Sequence, residues 1–307
     1  MILMLCEAKG MEAVMEIALK IDRNDKYRGK KLNAYQSVGR FSNAQIIENL
    51  KENGIYEFQR IYVGNDFCEN MFVSIDELRN WQKICIESGL YLTIMTPAVS
   101  QSGMKSVLQI IDFIKSMDRR LHIEIVVNDV GIMHLLQDAN ISLSCGRLFD
   151  KAPCDARFYE EDYLMYFAKS GLKLVNKSGI CSQNMDSVLE KYNIKRIEFD
   201  TCKWLEFNKN YEYTFYSPYS YITMGRMCMF KNYKNHQLFD VSYGNCVKVC
   251  EDVIQIMEKT NCFVDNKGII QKHIVTLLRK GNSVLIKNVF DLKQVPDAIN
   301  RILIENI

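Results

Sequence analysis

Short runs that are unbroken in hydrophobicity or alternate with period two give way, again and again along this chain, to longer stretches with apolar residues three and four apart. That pattern predicts repeated β/α units. Residues 31–38 (KLNAYQSV) read as a first strand. A helix then opens at Ser42, with Gln45 in capping-box spacing, and stops at Gly54. A second strand over 58–63 leads to a helix capped by Ser74 and Glu77, which carries Leu78, Trp81 and Cys85 on one face and ends at Gly89. Strand three covers 91–99, and Met104, Val107, Leu108, Ile111 and Ile114 again fall at helical spacing. The next run, LHIEIVV (121–127), is the near-continuous apolar strand of a parallel sheet buried on both faces. Further strands are expected over 141–149, 172–175, 194–199 and 211–216, with a helix around 185–191.

Seven or eight such units fit a closed TIM-like (β/α) barrel better than a doubly wound sheet. The expected division is an N-terminal helical extension (1–30, its helix over 11–21), an α/β barrel (31–262) and a short C-terminal α/β tail (263–307). The tail holds a strand at SVLIKNV (283–289) and a last helix from Val295 onward. No Pro-, Gly- or Ser-rich linker interrupts the series.

Composition adds constraints more than it adds identity. With 307 residues, 48% of them hydrophobic and 25% charged, the chain suits one large α/β domain. Its 39 basic and 37 acidic residues leave a formal charge of +2, which argues against nucleic acid or an anionic membrane as partner. Glu7 and Lys9 interrupt the apolar start before a signal core forms, and no run reaches the roughly 18–20 apolar residues of a membrane span. The expected compartment is therefore the cytoplasm. Thiols stay reduced there, so eleven cysteines point to packing, metal ligation or catalysis before disulfides.

Barrel enzymes carry their chemistry in the loops that leave the C-terminal ends of the strands. Cys68 stands in such a loop, after the second strand in IYVGNDFC, and Cys228 follows YSPYSYITMGRM. Cys246 and Cys250 form a C-x3-C pair in YGNCVKVC. Spacing alone leaves that pair open between metal ligands and two core cysteines of a helix.

The segments around these cysteines resemble peptidase family U32, and more closely its cluster-binding branch, which includes the paired proteins of oxygen-independent ubiquinone synthesis. The matching pieces are YVGNDFC, EIVVNDVG, CGRLFDK (similar to the family's GRLxxK) and YSPYSYITMGRMCMF followed by the C-x3-C pair. The resemblance covers most of the chain. It implies a 4Fe–4S cluster on Cys68, Cys228, Cys246 and Cys250 and an oxygen-independent hydroxylase, or a subunit of one, acting on a small organic or aromatic substrate. Prephenate enters by the same analogy as oxygen donor, and a second chain of the family as heterodimer partner. Zinc on the same four thiolates is the alternative cofactor, although zinc sites usually pair their ligands in close knuckles and Cys68 is far from Cys228. The chain departs from the branch in a longer gap before Cys246, in Met227 between Arg226 and Cys228, and in Glu69 and Asn70 where basic residues are usual.

Other residues offer chemistry beside a plainer role. Asp129, after Asn128 at the end of the apolar strand, is a candidate catalytic carboxylate or the N-cap of the helix that follows. Arg147, a second catalytic candidate, and Arg226 suit a substrate carboxylate or an ion pair. Cys85 reads as core packing, as do Cys6, Cys181, Cys202 and Cys262, while Cys145 and Cys154 flank the GRLFDKAP segment near the mouth. Tyr211, Tyr213, Phe215, Tyr216, Tyr219 and Tyr221 crowd the approach to Cys228. The family's peptidase label and a metal-stabilised scaffold remain as alternative functions, and the sequence holds no GxSxG or HExxH motif to support the first.

Overall fold

The computed structural model describes residues 15–22, 29–35, 44–150, 180, 182–200, 207–231, 244–264, 268, 270–288 and 292–306. Seven strands succeed one another in parallel: β1 (Glu16–Lys20), β2 (Arg60–Gly64), β3 (Tyr91–Met95), β4 (Ile123–Val127), β5 (Ser142–Cys145), β6 (Arg196–Phe199) and β7 (Glu212–Ser217). Four more, β8 (Tyr219–Met224), β9 (Gln255–Val264), β10 (Ile270–Lys280) and β11 (Ser283–Lys287), leave the series and form an antiparallel sheet in the order β8-β11-β10-β9. The chain then returns as β12 (Ile299–Ile304), which lies parallel between β7 and β1 and closes an eight-stranded barrel. The fold is a TIM-like (β/α) barrel with a sheet inserted before its last strand.

Helices α1 (Leu32–Tyr35), α2 (Ala44–Glu52), α3 (Ile75–Ser88), α4 (Met104–Ser116), α5 (Val130–Leu136) and α6 (Gln183–Lys191) lie between successive barrel strands. Helix α3 follows its sequence signals. The Ser74 hydroxyl accepts from Glu77 N, the Glu77 carboxylate accepts from Ser74 N, and Gly89 stops the helix in the left-handed region at φ 59°. Leu78 and Cys85 are buried on its inner face, in the large core between helices and barrel.

Three expected elements differ. The span expected to be helical over 11–21 contains β1, and the span from Val295 contains β12. Leu32–Tyr35, expected to be a strand, is a short helix. The first two misreadings share a cause. Ile17, Leu19, Ile302 and Ile304 pack outward against the helices, whereas the intervening inward positions include Glu16, Lys20 and Arg301, with Glu305 just past the strand. A strand whose polar side faces a charged barrel interior carries the same charged and apolar mixture as a solvent-facing amphipathic helix. The expected strand over 172–175 and Cys6, Cys154, Cys181 and Cys202 lie outside the described residues.

The barrel interior is layered. Ala18, Tyr62, Met95, Val126, Tyr216 and Leu303, from six strands, form an apolar cluster in the middle. Charged residues fill the interior on either side of it. The inserted sheet sits over the C-terminal mouth, where its Tyr219, Tyr221, Leu278 and Leu285 pack on Phe67 from the loop after β2. Tyr221 N donates to Asp200 Oδ2 (2.7 Å), at the end of β6, and Asn282 Nδ2 donates to Phe67 O (2.7 Å). Among the described residues no helix is long and apolar enough to cross a membrane.

Candidate metal centre

Each cysteine of the predicted set sits in a loop whose backbone is locally determined. Asn65 Oδ1 accepts from the amides of Phe67 and Cys68 (2.8 Å each), which turns the chain after β2 and presents Cys68 at the head of a short 3-10 turn, Glu69–Met71. The Glu69 carboxylate accepts from Ser100 N and Ser100 Oγ (2.7 Å each) and anchors that turn to the loop after β3. Cys228 follows β8. The C-x3-C pair is not helical: Gly244, Asn245 and Lys248 have φ of 89°, 52° and 54°, so the loop coils around Cys246 before a 3-10 turn (Val249–Glu251) that carries Cys250. A lysine in the left-handed region costs about 1 kcal/mol, a cost the surrounding contacts must offset.

Asparagines tie these loops together. Gly244 N donates to Asn70 Oδ1 (2.8 Å), linking the Cys246 loop to the Cys68 loop. Asn282 Nδ2 donates to Phe67 O and to Gly225 O (2.8 Å), linking the β10–β11 turn to the Cys68 and Cys228 loops. As a result Cys68, Cys228, Cys246 and Cys250 line a single cleft open to solvent, together with Arg226 and Lys231. Cys250 is buried and the other three are half-buried, and all four are free thiols.

Burial pushes the Cys68 thiol up to about 11. It pushes Cys250 up to about 12, with the neighbouring Cys68, Cys228 and Cys246 adding to the rise. Cys228 and Cys246 are raised as well, by burial first. Several groups oppose these shifts by favouring thiolate. The amides of Asn70 and Met71 donate to Cys68, those of Phe230 and Lys231 donate to Cys228, the Lys231 charge acts on Cys228 and Cys246, and the Lys280 charge acts on Cys250. Thiolates that ligate metal require such compensation. Gly281 turns the chain beside Cys250 in the left-handed region at φ 61°, and a β-carbon there would lie in ordinary contact with the Cys250 sulfur, 3.4 Å away. Among the described residues no three His, Cys, Asp or Glu side chains form a group arranged around one metal ion.

A second cleft adjoins the first and shares Phe67, Cys68, Cys250 and Asn282 with it. Its floor is the barrel mouth, where Lys20 ends β1 and Arg147 and Glu305 follow the ends of β5 and β12, and its rim is the turn from Lys280 to Ser283. Arg147, only 1% exposed, is no surface ion pair. Its Nε and Nη2 donate to Asp66 Oδ2 (3.2 and 3.1 Å), Nη1 donates to Asp200 Oδ2 (3.2 Å) and Glu305 Oε2 (3.0 Å), and Nη2 donates to Glu305 Oε1 (2.7 Å). All five guanidinium hydrogens are thus engaged by three carboxylates. The plane also lies over the rings of Tyr216 and Phe67 at 4.2 and 4.8 Å. Arg147 therefore organises the mouth, and its fork has no hydrogen left for a substrate carboxylate.

The network extends through the two other motifs of the resemblance. Asn128 Nδ2 donates to Asp66 Oδ1 (3.0 Å), and Asn128 Oδ1 accepts from Leu148 N (3.1 Å). Gly146 permits this, because a β-carbon there would fall 2.1 Å from Asn128 Oδ1. Asp129 serves as the cap of α5: Oδ1 accepts from Gly131 N (2.7 Å) and Ile132 N (3.4 Å), and Oδ2 accepts from Val99 N (3.3 Å). It lines neither cleft. Arg226 is exposed on the rim of the cysteine cleft. Cys85 and Cys145 are core residues, as packing predicts, and Cys262 is exposed rather than packed.

Several residues were not singled out in the sequence: Lys20, Glu305, Lys231 and Asn282, which line the two clefts, and Asp66 and Asp200, which hold Arg147. Asp66 and Asp200 follow the ends of β2 and β6 in YVGNDFC and IEFD, so the rule that barrel chemistry gathers at strand ends marks both. Lys20 and Glu305 were hidden by the helical reading of β1 and β12. No family model, no curated protein and no solved structure matches this chain.

Proposed function

We propose that this chain is an iron–sulfur protein that holds a 4Fe–4S cluster on Cys68, Cys228, Cys246 and Cys250 and acts as a subunit of an oxygen-independent hydroxylase, as its resemblance to the U32 branch implies. The observation that carries the reading is the convergence of these four cysteines, from distant positions in the sequence, on one cleft at the barrel mouth. Backbone amides aimed at Cys68 and Cys228 suit soft sulfur ligands of a bound cluster. A zinc ion would gather its four sulfurs to within about 3.8 Å of one another, the edge of a tetrahedron with bonds of about 2.3 Å. A cubane keeps its ligands farther apart, and the two isolated ligands, Cys68 and Cys228, suit it better than the close knuckles usual for zinc.

When bound, the cluster supplies one-electron chemistry at the mouth. The adjoining cleft, which shares Cys68 and Cys250 with the first, is the substrate site in this reading. Lys280, Asn65 and Asn282 line it and orient a small organic or aromatic molecule, while Arg147 holds Asp66, Asp200 and Glu305 in place beneath. Prephenate as oxygen donor and a second chain of the same family as partner belong to the same reading. Exposed Met227, Met229 and Val247, beside the cluster ligands, support the latter.

The test is purification without oxygen, followed by iron and sulfide analysis and a visible spectrum. The expected outcome is about four irons per chain and a broad band near about 400 nm, both lost in Cys68→Ala, Cys228→Ala, Cys246→Ala and Cys250→Ala, with Cys85→Ala retaining them. A colourless protein with stoichiometric zinc would replace the cluster with a structural ion and withdraw the hydroxylase.

A further inference from the structure

Four thiolates bring more negative charge than a 4Fe–4S core cancels, so a buried site of this kind is left net negative and needs cationic compensation from the protein. Two cations line the cysteine cleft among the described residues, Arg226 and Lys231. Arg226 is exposed, where solvent screens it. Lys231 is 3% exposed and lies three residues after Cys228, and its backbone amide donates to Cys228 O (3.3 Å) in the turn that carries this cysteine. Lys280 lines the adjoining cleft, on the Cys250 side, and not the four-cysteine cleft.

We propose that Lys231 is the charge-compensating residue of the four-cysteine site: its buried side chain, in the cleft beside Cys228, stabilises the reduced cluster and sets its reduction potential. This rests on the cluster reading above. Its location agrees with the electrostatics of the free thiols, where Lys231 is the principal group opposing the burial of Cys246 and adds to the amides at Cys228. The four thiols are not compensated alike. Cys68 has amides, Cys228 has amides and Lys231, Cys246 has Lys231, and Cys250 has Lys280.

The experiment compares the iron-loaded full chain with Lys231→Met, Lys231→Gln and Lys231→Arg, prepared without oxygen. Iron and sulfide content are measured first, then the midpoint potential by spectroscopic titration, then the rate at which a chelator strips iron. The expected result is a midpoint shifted to more negative potential in Lys231→Met and Lys231→Gln, iron loss several-fold faster than in the wild type, and a near-normal midpoint in Lys231→Arg. A full iron complement with an unchanged midpoint in both neutral variants would overturn the role assigned to Lys231 and leave the cluster standing. Equal shifts in the neutral and arginine variants would overturn it too, by showing that shape rather than charge matters. Absence of iron from the wild type would remove both the cluster and the compensation. Lys231→Gln keeps a polar side chain of shorter reach, so the comparison survives if the methionine variant does not fold.

Discussion

The two ends of the barrel interior are both filled with buried charge, yet they are built differently. At the N-terminal end Arg60, Arg196 and Arg301 interleave with Glu16 and Glu124. Arg60 Nε and Arg301 Nε donate to the two oxygens of Glu16 (2.6 and 2.7 Å), and Arg301 Nη1 donates to Glu124 Oε1 (2.5 Å) and Tyr62 Oη (2.7 Å). Glu198 adds a third inward acid, bonded to Tyr62 and Ser144, so arginines and acids are matched there, and neither cleft reaches this layer. At the C-terminal end a single guanidinium, Arg147, holds three carboxylates with Lys20 beside it, and this group forms the floor of a cleft shared with Cys68 and Cys250. Burying charge requires complete hydrogen bonding in either place. The difference shows what the mouth has been given in addition: an excess of acid held by one fork, a roof made by the inserted sheet, and an open side toward the thiols.

The largest test of this contrast is to remove each central arginine. Arg147→Met and Arg301→Met each strand buried carboxylates, and each is expected to lose about 3–5 kcal/mol of unfolding free energy in denaturant titrations. With the proposed cluster bound, only Arg147→Met should also disturb the iron spectrum, because only that layer lines a cleft that holds Cys68 and Cys250. An equal spectral change in Arg301→Met would erase the distinction between the ends.

A smaller test uses pH. Glu198 and Asp200 stand two residues apart on β6 and just past it, one below the middle of the barrel and the other under the cleft. Burial pushes Glu198 up from 4.5 to about 7, with Glu124 adding to the rise. Burial likewise pushes Asp200 up from 3.8 to about 7, against the pull of Arg147. The folded state then holds these protons more tightly than the unfolded chain does. The stability they contribute is complete below about pH 4 and is lost as pH rises through about 7. Glu305 has the opposite sign. Burial would raise it, but Arg147 and Lys20 hold it below 4.5, so its contribution is present above that value and disappears on acidification. Between pH 5 and 8, Glu198→Gln and Asp200→Asn should each lessen the alkaline loss of stability by roughly 2–3 kcal/mol, measured by denaturation at several pH values. An unchanged slope in either variant would place its carboxyl group as an ordinary ionised acid.

The smallest expected effect belongs to the cap. Asp129→Ala should cost about 1 kcal/mol of stability and leave iron content and midpoint potential as in the wild type. A loss of the proposed hydroxylation with stability intact would return Asp129 to the catalytic role that its strand-end position suggested.

How far the site was legible depended on which side of each strand carried the information. Cys68, Cys228, Cys246 and Cys250 were marked by motif and resemblance, and all four meet in one cleft. Arg147 was marked as a chemical group, but its partners Asp66, Asp200 and Glu305 come from three other strand ends, and its engagement with all of them is a property of barrel closure. Lys231, three residues from Cys228, carried no signal of burial in its local sequence. The C-x3-C spacing suggested a helix, and the coil actually formed depends on left-handed backbone at Asn245 and Lys248.

By itself the sequence determined what rests on short-range physics. Alternating apolar runs specify the strands β2 to β7, the Ser74–Glu77 box and Gly89 bound α3, and Asp129 caps α5, because propensity and capping are satisfied within a few residues. Tertiary structure alone decided that 16–20 and 299–304 are strands. Their ladder partners are β2, β7 and each other, residues distant in the chain, and their charged inward positions become admissible only once a closed barrel supplies opposing charges to pair with them.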